Sequence, residues 1–92
     1  MAGNLLYGVA AADAVIEVMR ARDVHGPKEF NSIHEGYAVL LEEVDELWDE
    51  VKKNPTKAYH DHFDAKGKHK LEMRKEAIQV AAMAIRFAAE VC

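Results

Sequence analysis

An all-α fold, with three main helices per chain bundled and completed by homo-oligomerisation, is what this 92-residue sequence predicts. Apolar residues recur at three- and four-residue spacing in stretches separated by Gly- and Pro-marked breaks, and no period-two alternation is long enough for a strand. At 50% apolar and 30% charged residues, the chain reads as one domain spanning residues 1–92. A lone chain of this length buries little more than ~60% of its unfolded surface, so a partner copy is expected to complete the core.

The first helix is expected from about Leu5 to Asp23. Asn4 is placed to cap it, and His25-Gly26-Pro27 to end it. Leu5, Val9, Ala12, Ile16 and Met19 form its packing face. Pro27 to Asn31 is a short loop. In the second helix, Ser32-Ile33-His34-Glu35 is a capping box, with Ser32 and Glu35 exchanging backbone hydrogen bonds. It should run to about Lys53, burying a stripe from Tyr37, Leu40 and Leu41 through Val44 and Leu47 to Trp48 and Val51. Asn54-Pro55-Thr56 stops it. A polar connection from Lys57 to Lys70 follows, with Gly67 as a turn. The third helix, about Leu71 to Val91, confines Glu72, Lys75, Glu76, Gln79, Arg86 and Glu90 to one narrow stripe and is apolar almost everywhere else. Such a helix belongs at the centre, and its alanines allow a second subunit to approach closely as a homodimer or homotetramer.

Charge is divided unevenly. Up to Val51 there are eleven acids against three bases, and from Lys52 onward nine bases against five acids. The acidic first part argues against binding a nucleic-acid polymer. No apolar run approaches the ~20 residues of a membrane span. A single cysteine, Cys92, closes no intramolecular disulfide, which fits a reducing, cytoplasmic setting.

Seven carboxylates lie between Glu35 and Glu50, and their i,i+3 and i,i+4 repulsions work against the helix that carries them. Glu43, Glu46 and Glu50 flank the apolar stripe at i, i+3 and i+7. If the second and third helices pack antiparallel, Glu43 and Glu46 face Glu76 and Gln79 and form an oxygen-only pocket. Hard oxygen donors of this kind suit Mg²⁺ or Mn²⁺. The bland alternative is a solvated acidic face.

Glu42-Glu43-Val44-Asp45-Glu46-Leu47 resembles the E-E-x-x-E signature of the MazG-like nucleoside triphosphate pyrophosphohydrolases, an all-α family. Lys75-Glu76-Ala77-Ile78-Gln79-Val80 stands in the place of that family's E-x-x-D motif, with Gln79 where the pattern has Asp. The stretches His34 to Val51 and Arg74 to Phe87 resemble small phage-type members. The resemblance implies metal-dependent cleavage of a nucleoside triphosphate between the α- and β-phosphates, giving a monophosphate and pyrophosphate. Carried over by position, Glu43, Glu46 and Glu76, with the Gln79 carbonyl, would be metal ligands, and Glu42 a supporting carboxylate that orients water. Lys75, Arg86 and possible helpers Lys68 and Arg74 are candidates to hold phosphates, and His34 to approach the base or ribose. Gln79 keeps open a nucleotide- or metal-binding module without catalysis, and the acidic helix a structural, protein-docking role. His60-Asp61-His62 with Asp64 reads as a polar connection before it reads as a metal cluster.

Overall fold

The computed structural model describes residues 2–26, 28–53 and 65–92, and among them the chain is all-helical, with no strand. Its elements are α1 (Ala2–His25), α2 (Ile33–Val51) and α3 (Ala65–Glu90). The proposed His60-Asp61-His62 cluster, Asp64 and the Asn54-Pro55-Thr56 stop lie outside the described residues.

Local chemistry explains most helix ends. Gly26 has φ 88°, the left-handed conformation in which glycine ends a helix at no steric cost. At the other end α1 already includes Asn4, so Asn4 is an exposed helical residue and not its cap. Ser32 caps α2 as expected: its backbone is extended and its Oγ accepts the Glu35 N–H at 3.0 Å. The return half of the box reaches one residue further back. Glu35 accepts from the Asn31 N–H at 3.0 Å and from Asn31 Nδ2 at 2.8 Å, which holds the entering chain. α2 ends at Val51, with the Lys52 N–H bonding the Trp48 carbonyl at 2.9 Å. The start of α3 corrects the expected connection: residues 65–70, Gly67 among them, are helical and make no turn.

α3 is central. α1 and α2 each pack on it and not on each other. α2 runs antiparallel to α3, bringing Gly36 to Phe87 and Glu50 to His69. α1 runs parallel to it, pairing Asp13 with Arg74 and Arg22 with Glu90. At the α2–α3 crossing a Cβ on Gly36 would stand 2.9 Å from Phe87 Cδ2 and 3.0 Å from Phe30 Cδ2, so the close approach there depends on glycine.

The buried hydrophobic core consists of Ala14, Ala82 and Met83 among the described residues. α1 therefore packs through the face that carries Ala14, and its expected packing face is turned outward, with Leu5, Val9, Ile16 and Met19 exposed. Small side chains win that contact because they let two helix backbones approach. The expected stripe of α2 is covered only in part: Leu40 and Leu47 are half-buried, while Tyr37, Leu41, Val44 and Val51 are exposed, and Trp48, expected in the core, is 58% exposed. α3 turns its polar stripe toward α1, α2 and their linker, and leaves Ala77, Ala84, Ile85, Ala88 and Ala89 exposed. No helix among the described residues is long and apolar enough to cross a membrane.

Candidate metal centre

Three carboxylates converge where α2 crosses α3. Glu43 and Glu46, one turn apart on α2, meet Glu76 from α3, each offering an oxygen within 4.8 Å of the others. The antiparallel packing of the two helices produces this meeting, because it sets the middle of one against the middle of the other.

The arrangement is electrostatically uncomfortable without a cation. Among the described residues, Glu43 Oε2 and Glu76 Oε2 are buried and have no hydrogen-bond partner. Such oxygens typically cost the fold about 1–3 kcal/mol each. Burial first, then Glu46, Glu76 and Glu42, pushes the Glu43 carboxyl up to about 7. Glu76 is raised too, by burial first and by Glu46 next, with Glu50 adding and Lys75 opposing. Three oxygens on one hard cation at about 2.1–2.5 Å each would have to draw closer than the 4.8 Å that bounds them here, so the trio could hold such an ion after its side chains close in. Orphaned oxygens, an all-carboxylate donor set and mutual repulsion all fit such a cation.

The neighbouring acids differ in role. Glu42 is exposed on the shoulder of the trio. Glu50 is paired with Lys53, and its carbonyl bonds His69 Nε2 at 2.7 Å. That His69 contact, which ties the end of α2 to the start of α3, had no sequence signal beyond the need of terminal helix carbonyls for donors.

Gln79 and Lys75 line a different feature, an open groove of about 580 Å³ between α1 and α3. Asp13, Glu17 and Arg20 of α1 complete it with Leu71, Arg74 and Ile78. Arg74 Nη2 donates to Asp13 at 2.7 Å, and Arg20 Nε to Glu17 at 2.9 Å. Arg20 first, helped by the Gln79 carboxamide and Lys75, lowers the Glu17 carboxyl to about 2. The only sequence signal for these residues of α1 was the i,i+3 pair Glu17 and Arg20.

The remaining expected site residues lie elsewhere. Arg86, ten residues beyond Glu76 and thus about 15 Å along α3, forks onto Glu90 at 2.7 and 3.0 Å. Its guanidinium also lies 4.2 Å from the centre of the Phe30 ring. His34 is exposed in the first turn of α2, nine residues before Glu43, which is about 14 Å away along the helix. A scan of protein-family models finds no match to this chain, and neither do searches of curated proteins and of solved structures.

Proposed function

We propose that the chain is a Mg²⁺-dependent nucleotide pyrophosphohydrolase of the MazG-like kind, with Mn²⁺ as an alternative ion, acting in the cytoplasm on a nucleoside triphosphate to give a monophosphate and pyrophosphate. The observation that carries this reading is the convergence of Glu43, Glu46 and Glu76 within 4.8 Å, with buried, unpartnered oxygens on Glu43 and Glu76. When bound, the cation supplies the positive charge that triphosphate cleavage needs. Glu43, Glu46 and Glu76 would hold it. Glu42, beside them and open to solvent, is the candidate to orient the attacking water and take its proton. Lys75, next to Glu76, receives phosphate oxygens. Arg86 and His34 stand away from the trio and have no part in this centre within one chain.

The exposed faces of α1, α2 and α3 support assembly as a homodimer or homotetramer, since Leu5, Ile16, Tyr37, Trp48 and Ile85 lie open together with the alanine side of α3. The test is pyrophosphate release from the common ribo- and deoxyribonucleoside triphosphates with Mg²⁺ and with Mn²⁺. Turnover of at least one, lost in Glu43→Ala and Glu46→Ala, is expected, and turnover of none overturns the reading. Gln79, standing where the resembling pattern has Asp and so bringing one negative charge fewer, favours a second reading, a centre that binds metal and nucleotide without hydrolysis. Ligand-induced thermal stabilisation without pyrophosphate release is its signature.

A further inference from the structure

The groove between α1 and α3 has a chemistry that the carboxylate trio does not use. Its volume of about 580 Å³ falls among small-molecule sites, which run to ~300–1,000 Å³. Leu71 and Ile78 give it an apolar wall, and Leu71 is 68% exposed. A flat ring laid there would remove apolar surface from water. Hydrogen-bonding groups of both kinds surround the wall. Arg74 gives one N–H to Asp13 and keeps other donors of its guanidinium free for a ligand. Asp13 and Glu17 accept, and the Gln79 carboxamide offers both a donor and an acceptor. A simple anion would meet the two acids, and a simple cation the three bases Arg20, Arg74 and Lys75. A neutral ring with donor and acceptor edges and an anionic tail suits the whole set.

Position says where the tail goes. Lys75 lines the groove and immediately precedes Glu76 of the trio. Gln79 is three residues on from Glu76, and such neighbours on a helix stand about 5–6 Å apart at Cβ. Groove and trio are adjoining faces of one turn of α3.

We infer that the α1–α3 groove is the nucleoside subsite of the carboxylate centre, with Gln79 reading the edge of the base and Lys75 guiding the phosphates toward Glu76. The inference rests on the reading of that centre as a nucleotide site. It gives Gln79 a role of its own at the position where the resembling pattern has Asp. Glu17, which accepts from Arg20 Nε at 2.9 Å, lines the groove with Gln79 and offers the Gln79 amide N–H an acceptor. The Gln79 carbonyl is then left for a donor on the base.

The test uses the full chain and two groove variants, Gln79→Met, which keeps the length and removes both hydrogen-bonding groups, and Leu71→Ser at the exposed wall. Affinity for the common nucleoside monophosphates is measured by calorimetry without metal, KM for the triphosphates with Mg²⁺, and Mn²⁺ affinity by electron paramagnetic resonance. Both variants are expected to weaken monophosphate binding and raise KM by about tenfold, the value of one well-placed contact, with Mn²⁺ affinity unchanged. Gln79→Met should also flatten the preference among bases. Hydrolysis by the wild type with KM and monophosphate affinity unchanged in both variants overturns the subsite and leaves the pyrophosphohydrolase reading standing. No hydrolysis, with monophosphate binding that the variants weaken, overturns that reading and supports the subsite. A wild-type chain that neither hydrolyses nor binds any nucleotide overturns both.

Discussion

Glu76 and Glu90 sit on the same helix, fourteen residues apart, and have opposite surroundings. Glu90 accepts the Phe30 N–H at 3.0 Å and a two-pronged Arg86 guanidinium, with Arg22 3.8 Å away. Arg86 above all holds its carboxyl below the usual range. Glu76 has a buried oxygen with no partner and two glutamates against it, and its carboxyl is pushed up, by burial first. At one end of α3 the charge helps to join α1, the linker and α3. At Glu76, in the middle of that helix, the charge opposes folding, as carboxylates with displaced pKa values at functional sites do.

The sharpest way to break this contrast is to remove each carboxylate in turn. Glu90→Ala leaves Arg86 without its carboxylate and the Phe30 N–H without its acceptor, and the Glu90 side chain is only 5% exposed. A loss of about 3 kcal/mol is expected, seen as a melting temperature lower by ~10 °C or more. Glu76→Gln in metal-free buffer should instead gain about 1 kcal/mol. Equal losses in the two variants would erase the distinction.

The next effect is the response to a divalent ion. Mg²⁺ or Mn²⁺ at a hundredfold excess over its Kd should stabilise the chain by about 2.7 kcal/mol. Thermal melts of Glu43→Ala and Glu76→Ala should show no such gain, whereas the Arg86–Glu90 cluster plays no part in it.

A further effect is in the pH dependence of the metal-free chain. Glu43 sits at about 7 in the fold against an ordinary 4.5, so the folded chain keeps a proton that the unfolded chain releases. Its contribution is full below 4.5 and is lost as pH rises through 7. Glu17, lowered from 4.5 to about 2, acts the other way: its contribution is present above 4.5 and lost as pH falls toward 2. Urea titrations at a series of pH values should show the decline between 4.5 and 7 shrink in Glu43→Gln. An undiminished slope would place the proton elsewhere.

The Glu76 half of this contrast was legible in the sequence; the Glu90 half was not, since Arg86 reads there as a phosphate ligand and is found paired with Glu90. The three helices follow from apolar spacing, and the meeting of Glu43, Glu46 and Glu76 follows from their turn-long spacings once α2 and α3 are antiparallel. Gly26 and Ser32 were readable because each acts on backbone no more than three residues away. The start of α3 at Ala65 was hidden because Lys66, Lys68, His69 and Lys70 show no apolar period, and helices tolerate a glycine such as Gly67. A helical wheel shows that Ile16 and Trp48 share apolar faces, but not whether the same chain covers them, and both are exposed. Gln79 lay on the same polar stripe as Glu76, and the stripe is wide enough to face α2 on one flank and α1 on the other.

Gly36 carries the smallest effect, and one that no pattern in the sequence announced. Replacing a helical glycine by alanine ordinarily gains about 1 kcal/mol. Here the new Cβ would meet Phe87 Cδ2 at 2.9 Å and Phe30 Cδ2 at 3.0 Å, and overpacking of that kind costs about 1–3 kcal/mol. Gly36→Ala should therefore lose about 1 kcal/mol where helix propensity alone predicts a gain. The strain falls at the Phe30–Glu90 end of the α2–α3 seam, so chemical denaturation should show the loss while Mn²⁺ affinity at the Glu43–Glu76 end is unchanged. A stabilised Gly36→Ala would mean that the two rings move aside freely and that the ordered end of α3 is looser than its hydrogen bonds imply.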